Sequence, residues 1–520
     1  MKKSIYLLLI NIWISSIIFG QWSNSPDNPL LLGNGIQPQV KMAPNGDVYY
    51  AWLTDGNYHV YLQKLNQDGF IQFSDGGMLI SDNNNSSWIA VYHLNLAVDN
   101  ENNAIITFVD QRSGPWGVYA YKINPYGEMI WGMDGLSLSN SSLDNISPRL
   151  VVLQDNSVVV SWSKNYNSVV MQRISPDGEL LWGDGITINN LMVSLLSPQP
   201  IINSSGELLL QWISQTGQVW AADSKLLLQK YNLDGNSAWS EATVTVGPVV
   251  FPMGNWSQKS VKDGSNGSFA AWTEMSGNAQ SAVVQHIDEN GQLSWADGVE
   301  LSLNSSNFQV SPQIAVAESS QDLMAVWNES NASQSQRGIY AQRIDQDGNK
   351  MWGINGTAIV PLNNNFDFLD LSIIDIGEGL IATYIQQSTN MSGDIYAIRI
   401  DENCINTWLD NNVVITNSNN PKSDLMIEKG MGCLFISWSE NGNIFTHCLK
   451  ENGTLGSPDS SLLGDVNSDG DINVLDVVML VGIILENGEY ILSGDLTNDG
   501  SLDVLDIVSL VNIILSFHSL

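Results

Sequence analysis

From Gln37 to Lys450 the chain is a succession of short runs in which apolar and polar residues alternate. The pattern recurs with a period of about 55 residues, the range of propeller blades. Each unit opens with a short apolar strand, often after Ser-Pro or Gln-Pro, as at Gln37-Pro38, Ser147-Pro148, Ser197-Pro198 and Ser311-Pro312. A second strand carries an aromatic residue at one place: Trp52, Phe108, Trp162, Trp212, Trp272, Trp327, Tyr384 and Trp438. A third reads Tyr61-Leu62-Gln63-Lys64-Leu65, Met171-Gln172-Arg173-Ile174 or Tyr340-Ala341-Gln342-Arg343-Ile344, and turns with Gly69, Gly127, Gly178, Gly235, Gly291 and Gly348 follow. The fourth strand is predicted to begin with Phe73, Trp131, Trp182, Trp239, Trp295, Trp352 or Trp408. Alternating runs joined by Asn-Gly or Asp-Gly turns predict four-stranded antiparallel meanders. Set radially, such sheets bury both faces and leave only short edges. The eighth unit, from about Ser423 to Lys450, has three such runs, and Trp22 to Leu32 resembles its missing fourth. The pattern therefore predicts a mainly β, eight-bladed β-propeller over residues 21–457, closed by its N-terminal strand. Seven blades plus a stray segment is the alternative.

After a short linker, 458–463, the period changes and one segment is written twice in residues 464–520. Gly464 to Asp476 and Gly494 to Asp506 match position by position, and each leads into an apolar helix-like run, Val477 to Leu485 and Ile507 to Leu515. Oxygen-bearing side chains fall at loop positions one, three, five, nine and twelve, with glycine at six. That is the spacing with which a loop wraps a calcium ion, a hard cation that takes six to eight oxygens. The first site would comprise Asp465, Asn467, Asp469, the Asp471 carbonyl, Asn473 through a water, and Asp476. The second would comprise Asp495, Thr497, Asp499, the Ser501 carbonyl, Asp503 and Asp506. A lone Asp-Gly cluster reads as an ordinary turn; two in register favour metal. No Lys or Arg lies between Glu451 and Leu520, so these carboxylates have no internal counter-ion, and bound metal would contribute folding energy directly.

The duplicated loop and helix resemble a dockerin, with Asp rather than Glu at position twelve. The resemblance implies two calcium ions and a cohesin-like scaffold domain or cell-surface protein as partner. The chain departs from the commoner dockerin pattern at positions ten and eleven, where Val474-Leu475 and Val504-Leu505 replace hydroxyl residues. That implies an apolar docking face, for a different partner class or for the chain's own ring. The propeller units likewise resemble secreted bacterial repeats that read Tyr-Ala-Gln-Arg-Ile/Leu, turn, Trp-Gly, a likeness of fold that names no activity.

Composition narrows the function. The 520 residues carry 54 acids against 20 bases, net -34, which repels nucleic acid and anionic membranes. Met1-Lys2-Lys3-Ser4, the apolar run Ile5 to Phe19 and Gly20-Gln21 read as a signal peptide over 1–20, hence a secreted or cell-surface protein without membrane insertion. Asn-x-Ser triplets such as those at Asn140 and Asn304 read as turn composition. Of three cysteines, Cys433 and Cys448 flank the Asn441-Gly442 turn and either pair or remain buried thiols. The recurrent Trp series reads as inter-blade core rather than a sugar-stacking array. Lys64, Lys122, Arg173, Lys230, Arg343 and Arg399 recur at one place, which points to structural pairing with a carboxylate on a neighbouring strand. Non-repeated segments are better binding candidates: Trp88, Tyr92 and His93; Phe251 to Trp256; Phe366 to Phe368.

No His-Glu-x-x-His, Gly-x-Ser-x-Gly or phosphate-cradling glycine loop is present, and His59, His93, His286, His447 and His518 are scattered. The expected function is non-enzymatic: a propeller presenting a protein- or glycan-recognition surface, tethered by the calcium-folded tail. The rival is a polysaccharide-degrading enzyme delivered by the same tail, and a clustered carboxylate pair in a polar channel would favour it. A third reading is a structural surface-layer protein whose tail packs on its own ring.

Overall fold

The computed structural model describes residues 22–517 except 84, 140–141, 218–222, 240–242, 250–257, 277–278, 318, 378, 389–390, 409–411, 459–463, 465, 468–471, 487–490 and 498–500. The expected signal peptide, nearly all of the linker and the Phe251 to Trp256 segment lie outside these residues. The alternating runs build eight four-stranded antiparallel sheets. Blade 1 proceeds outward from Ile36–Met42 through Val48–Leu53 and Val60–Leu65 to Met78–Ser81. Blade 8 is composite: Leu30–Asn34 pairs with Asn443–Leu449, Leu30 opposite Thr446 and Asn34 opposite Asn443. The ring has eight blades and is closed by the N-terminal strand, which begins at Leu30 rather than Trp22.

The Ser-Pro and Gln-Pro pairs lie inside the inner strands, not ahead of them. Strand register slips between Ile36 and Gln39, Ile146 and Arg149, Leu196 and Gln199, and Val310 and Gln313. The residue before each proline is left-handed, with φ of 56° at Gln37, 54° at Ser147, 49° at Ser197 and 56° at Ser311. A bulge takes its extra residue out of the ladder, so proline's missing N–H is tolerated there. Blades 7 and 8 bulge without proline at Asp370 and Asp424.

The second-strand aromatics are all buried, at most 2% exposed, and form the core between blades. The later aromatic precedes the outer strand instead of opening it; Trp131, for example, lies ahead of Leu136–Ser137. The third-strand Gln explains its position. Gln172 and Gln342 are buried, and each Oε1 accepts the backbone N–H of its own blade's Trp, Trp182 at 3.0 Å and Trp352 at 2.8 Å. Each Nε2 donates to a carbonyl of the same loop, Gly183 or Gly353.

So held, the indole N–H reaches a turn carbonyl of the next blade. Trp131 donates to Pro176 at 3.0 Å, Trp182 to Leu233 at 3.1 Å, Trp239 to Glu289 at 2.9 Å and Trp295 to Gln346 at 3.1 Å. Trp352 donates to Glu402 and Trp408 to Glu451, both at 2.9 Å. Trp22 makes the closing bond, to Gln67 at 2.9 Å, which is why it sits ahead of its strand. Phe73 has no N–H to offer the seam between blades 1 and 2. The turn glycines lie against these rings: a Cβ on Gly178 would come within 2.9 Å of Trp131, and one on Gly291 within 2.9 Å of Trp239.

The recurrent base serves the same seam. Its carboxylate lies in the turn after the inner strand rather than on a neighbouring strand: Lys64 with Asp47 at 3.2 Å, Lys122 with Asp99 at 3.0 Å, Lys230 with Glu207 at 3.2 Å, Arg343 with Asp322 at 2.7 Å. It also donates to the carbonyl that the indole uses. Lys122 reaches Pro176, Arg173 reaches Leu233, Lys230 reaches Glu289, Arg343 reaches Glu402 and Arg399 reaches Glu451. In blade 5 His286 takes the base's place and bonds Asp263 at 2.9 Å.

Cys433 and Cys448 form a disulfide, Cα–Cα 5.9 Å, across the hairpin that turns at Asn441-Gly442. Cys404 is a free thiol. In the tail, both helices start earlier than their apolar runs predict. The helices span Val474–Glu486 and Val504–Phe517, because Asn473 and Asp503 cap them: Asn473 Oδ1 accepts the Leu475 N–H at 2.8 Å and Asp503 Oδ1 the Leu505 N–H at 2.7 Å. Val466, Leu480 and Leu510 are buried between them.

The seams generate a test. Trp295→Phe keeps the ring but leaves the Gln346 carbonyl without its indole donor, and should cost about 1 kcal/mol. Trp295→Ala should cost about 3–5 kcal/mol. Chemical denaturation of both variants checks this; a Trp295→Phe variant as stable as the wild type would show that the indole bond adds nothing.

Candidate functional site

The two tail loops place their position-twelve carboxylates alike. Asp476 and Asp506 sit in the first turns of their helices and are fully buried. Asp476 Oδ1 accepts the Asn467 N–H at 3.1 Å and Oδ2 the Asn473 N–H at 2.8 Å. Asp506 Oδ1 accepts the Thr497 N–H, Oδ2 the Asp503 N–H, both at 2.9 Å. Each carboxylate thus ties loop positions three and nine to the helix start. Asp495 is 1% exposed, and the Thr497 hydroxyl donates to Asp506 at 2.9 Å. Ser501 is exposed at the loop surface. Asp465, Asp469, Asp471 and Asp499 lie outside the described residues, among which no group of three or more His, Cys, Asp or Glu forms a metal cluster. On the outer side of the helices Val474 and Val504 are each 65% exposed, and Leu475 and Leu505 each 59%.

The ring supplies a second candidate. The inner strands of neighbouring blades adjoin around the axis. Along them, the bulge residue and the residue two further on touch solvent, while the one between is buried: Gln37 and Gln39 about Pro38, Ser147 and Arg149 about Pro148, Ser197 and Gln199 about Pro198. Two rings, polar except at Met426, therefore line an axial channel. The bulge ring includes Gln37, Ser147, Ser197, Ser311, Asp370 and Asp424, and in blade 2 the left-handed His93, two residues ahead of Asn95, takes the equivalent place. By register the second comprises Gln39, Asn95, Arg149, Gln199, Lys259, Gln313, Ser372 and Met426. The charges of the two rings are segregated: the second ring holds bases on blades 3 and 5, and the bulge ring holds acids on blades 7 and 8. In a ring of eight, blade 3 stands opposite blade 7.

These groups touch water yet are enclosed by protein, so their charges are poorly hydrated. Burial pushes Arg149 down to about 10. It also lowers Lys259, with Arg149 adding to the effect, and takes His93 down to about 4. Burial, reinforced by Asp424, raises the Asp370 carboxyl. Arg149 Nη1 donates to the Pro148 carbonyl at 2.7 Å and the Tyr92 carbonyl at 3.2 Å, while Asp370 accepts the Leu425 N–H at 3.2 Å.

The remaining candidates fall into place around this channel. Trp88 and Tyr92 bound a short helix, Trp88–Tyr92, with Trp88 53% exposed and stacked on the buried Tyr92. His93, next in the chain, ends that helix with a left-handed φ of 58° and lies two residues ahead of Asn95, the place the bulge residue takes in other blades. Phe366 to Phe368 belong to the inner strand Phe366–Asp375 rather than a loop, and Phe368 lines a 220 Å³ recess with Phe308, Glu329 and Arg337. Single-residue reading missed the axial charges. Aligning the repeats two residues after each bulge would have exposed Arg149 and Lys259 among Gln and Asn.

No protein-family model matches the sequence, and no curated protein matches it. Among solved structures it is similar to an ulvan lyase of a new polysaccharide lyase family, TM-score 0.46 at 10% identity, covering 76% of this chain and 98% of that one. A lectin from Burkholderia pseudomallei gives 0.47 at 8%, covering 71% and 97%. The propeller domain of the trilobed protease from Pyrococcus furiosus gives 0.38 at 9%, covering 74% and 99%. The likeness is one of fold alone.

Proposed function

We propose that the protein is a secreted, two-part recognition protein. Its propeller presents a binding surface, and its dockerin-like tail folds around two calcium ions and tethers it to a cohesin-like or cell-surface scaffold. One observation carries this reading. Asp476, Asp495 and Asp506 are at most 1% exposed in a stretch, Glu451 to Leu520, without a single Lys or Arg. Buried carboxylates need a compensating charge, and a divalent ion is the economical one. Asp465, Asn467, Asp469, the Asp471 carbonyl, Asn473 and Asp476 would hold one ion. Asp495, Thr497, Asp499, the Ser501 carbonyl, Asp503 and Asp506 would hold the other. Calcium supplies the charge that lets these loops close, and the exposed Val474-Leu475 and Val504-Leu505 pairs suit an apolar docking face.

Hydrogen exchange on the full-length protein tests it. Chelation should speed exchange in residues 464–517 and leave the blades unchanged, and Asp465→Ala with Asp495→Ala should reproduce that loss in calcium. Unchanged tail protection under chelation would reject the calcium reading.

The Asp370–Asp424 pair favours a second reading, in which the propeller cleaves polysaccharide at its axis. Asp370→Asn and Asp424→Asn would then each abolish release of reducing or unsaturated ends from an acidic polysaccharide, assayed on the wild type first. A wild type without such activity, or variants that keep it, removes this reading.

A further inference from the structure

We propose that the axial channel is a binding site for an anionic group, a carboxylate or a sulfate, held between Lys259 and Arg149. The inference deepens the recognition role proposed for the propeller, on which it rests, and does not depend on the tail.

Bases are scarce in this chain. The chain has 20 bases against 54 acids, and the recurrent third-strand bases are used to pin the seams. Two further bases stand in the enclosed second ring of the channel, on blades 3 and 5. The same register position is neutral in the other blades: Gln39, Asn95, Gln199, Gln313, Ser372 and Met426. Six of eight blades therefore fold without a base there, so the ring does not require one.

Placing two cations near one another in a poorly hydrated channel is unfavourable by itself. Arg149 is oriented by the Tyr92 and Pro148 carbonyls. Among the described residues no hydrogen bond or ion pair engages the Lys259 ammonium. Lys259, enclosed beside the like charge of Arg149 at a position that six blades fill with neutral residues, marks a site whose ligand supplies the negative charge.

The surroundings narrow the ligand. Gln199, on the blade between the two bases, offers both a donor and an acceptor, as do Gln39 and Gln313. Across the axis Asp370 and Asp424 accept from hydroxyl or amine donors. A ligand with one anionic group and several hydroxyls, such as an acidic saccharide, satisfies both walls. A neutral saccharide satisfies only one.

Titration calorimetry on the full-length protein tests this, with oligogalacturonate, a sulfated galacto-oligosaccharide, a neutral cello-oligosaccharide, sodium acetate and sodium sulfate as probes. At least one anionic probe should bind, and Lys259→Gln and Arg149→Gln should each weaken it about tenfold or more. Lys259→Arg should keep most of the affinity, and Lys225→Gln, an exposed base on blade 4, should change nothing. Free acetate or sulfate binding as tightly as the sugars would support the site and identify the bare anion as its ligand. Neutral and anionic sugars binding equally, no binding by any anionic probe, or affinity unchanged in Lys259→Gln would each overturn it. Thermal melting checks the variants' fold; if Arg149→Gln is unfolded, the Lys259 pair decides. Repeating the titration with chelator separates the two proposals, because axial binding should survive when the tail loses its calcium.

Discussion

At seven of the eight blade seams a turn carbonyl accepts an indole N–H from the preceding blade, and that bond organises this ring. At five seams the same turn carbonyl accepts an indole N–H and a Lys or Arg from the preceding blade, as Pro176 does from Trp131 and Lys122. The donor side is held in turn by a buried Gln that fixes the Trp loop. One short motif, Gln followed by a base, therefore works on two blades at once. Closure uses the same bond: Trp22 brings the N-terminal strand onto blade 8 while its indole caps a turn of blade 1. The disulfide adds a covalent tie inside that closing blade.

The tail is held differently. There the buried polar groups are carboxylates, and backbone N–H groups meet only part of their need. Asp476 and Asp506 each tie two loop positions to a helix start, which orders the loop but leaves the negative charge in place. In the ring, protein bases neutralise such acids. The tail has no Lys or Arg to do so.

Much of this was legible in the residues. The blade count, the composite last blade and the buried second-strand aromatics follow from periodicity, because alternation with a period of two states which side chains meet in a core. Three features were displaced. Ser-Pro and Gln-Pro looked like strand boundaries because proline usually ends a ladder, yet a bulge admits it. The later Trp looked like the start of the outer strand, since its role depends on a turn in the next blade. The tail helices begin at Val474 and Val504, ahead of their apolar runs, because the capping side chains are also members of the loop pattern. The axial charges were hidden for another reason. Arg149 and Lys259 are unremarkable singly and acquire meaning only when eight inner strands are set in register around one axis.

The central claim is that this acidic tail closes around metal that the ring does not need. Native mass spectrometry of the full-length protein in millimolar calcium measures it most directly. The account predicts two calcium ions per chain, both lost in a variant carrying Asp476→Ala and Asp506→Ala. A chain that carries no bound calcium under those conditions, with its tail helices intact, would contradict it.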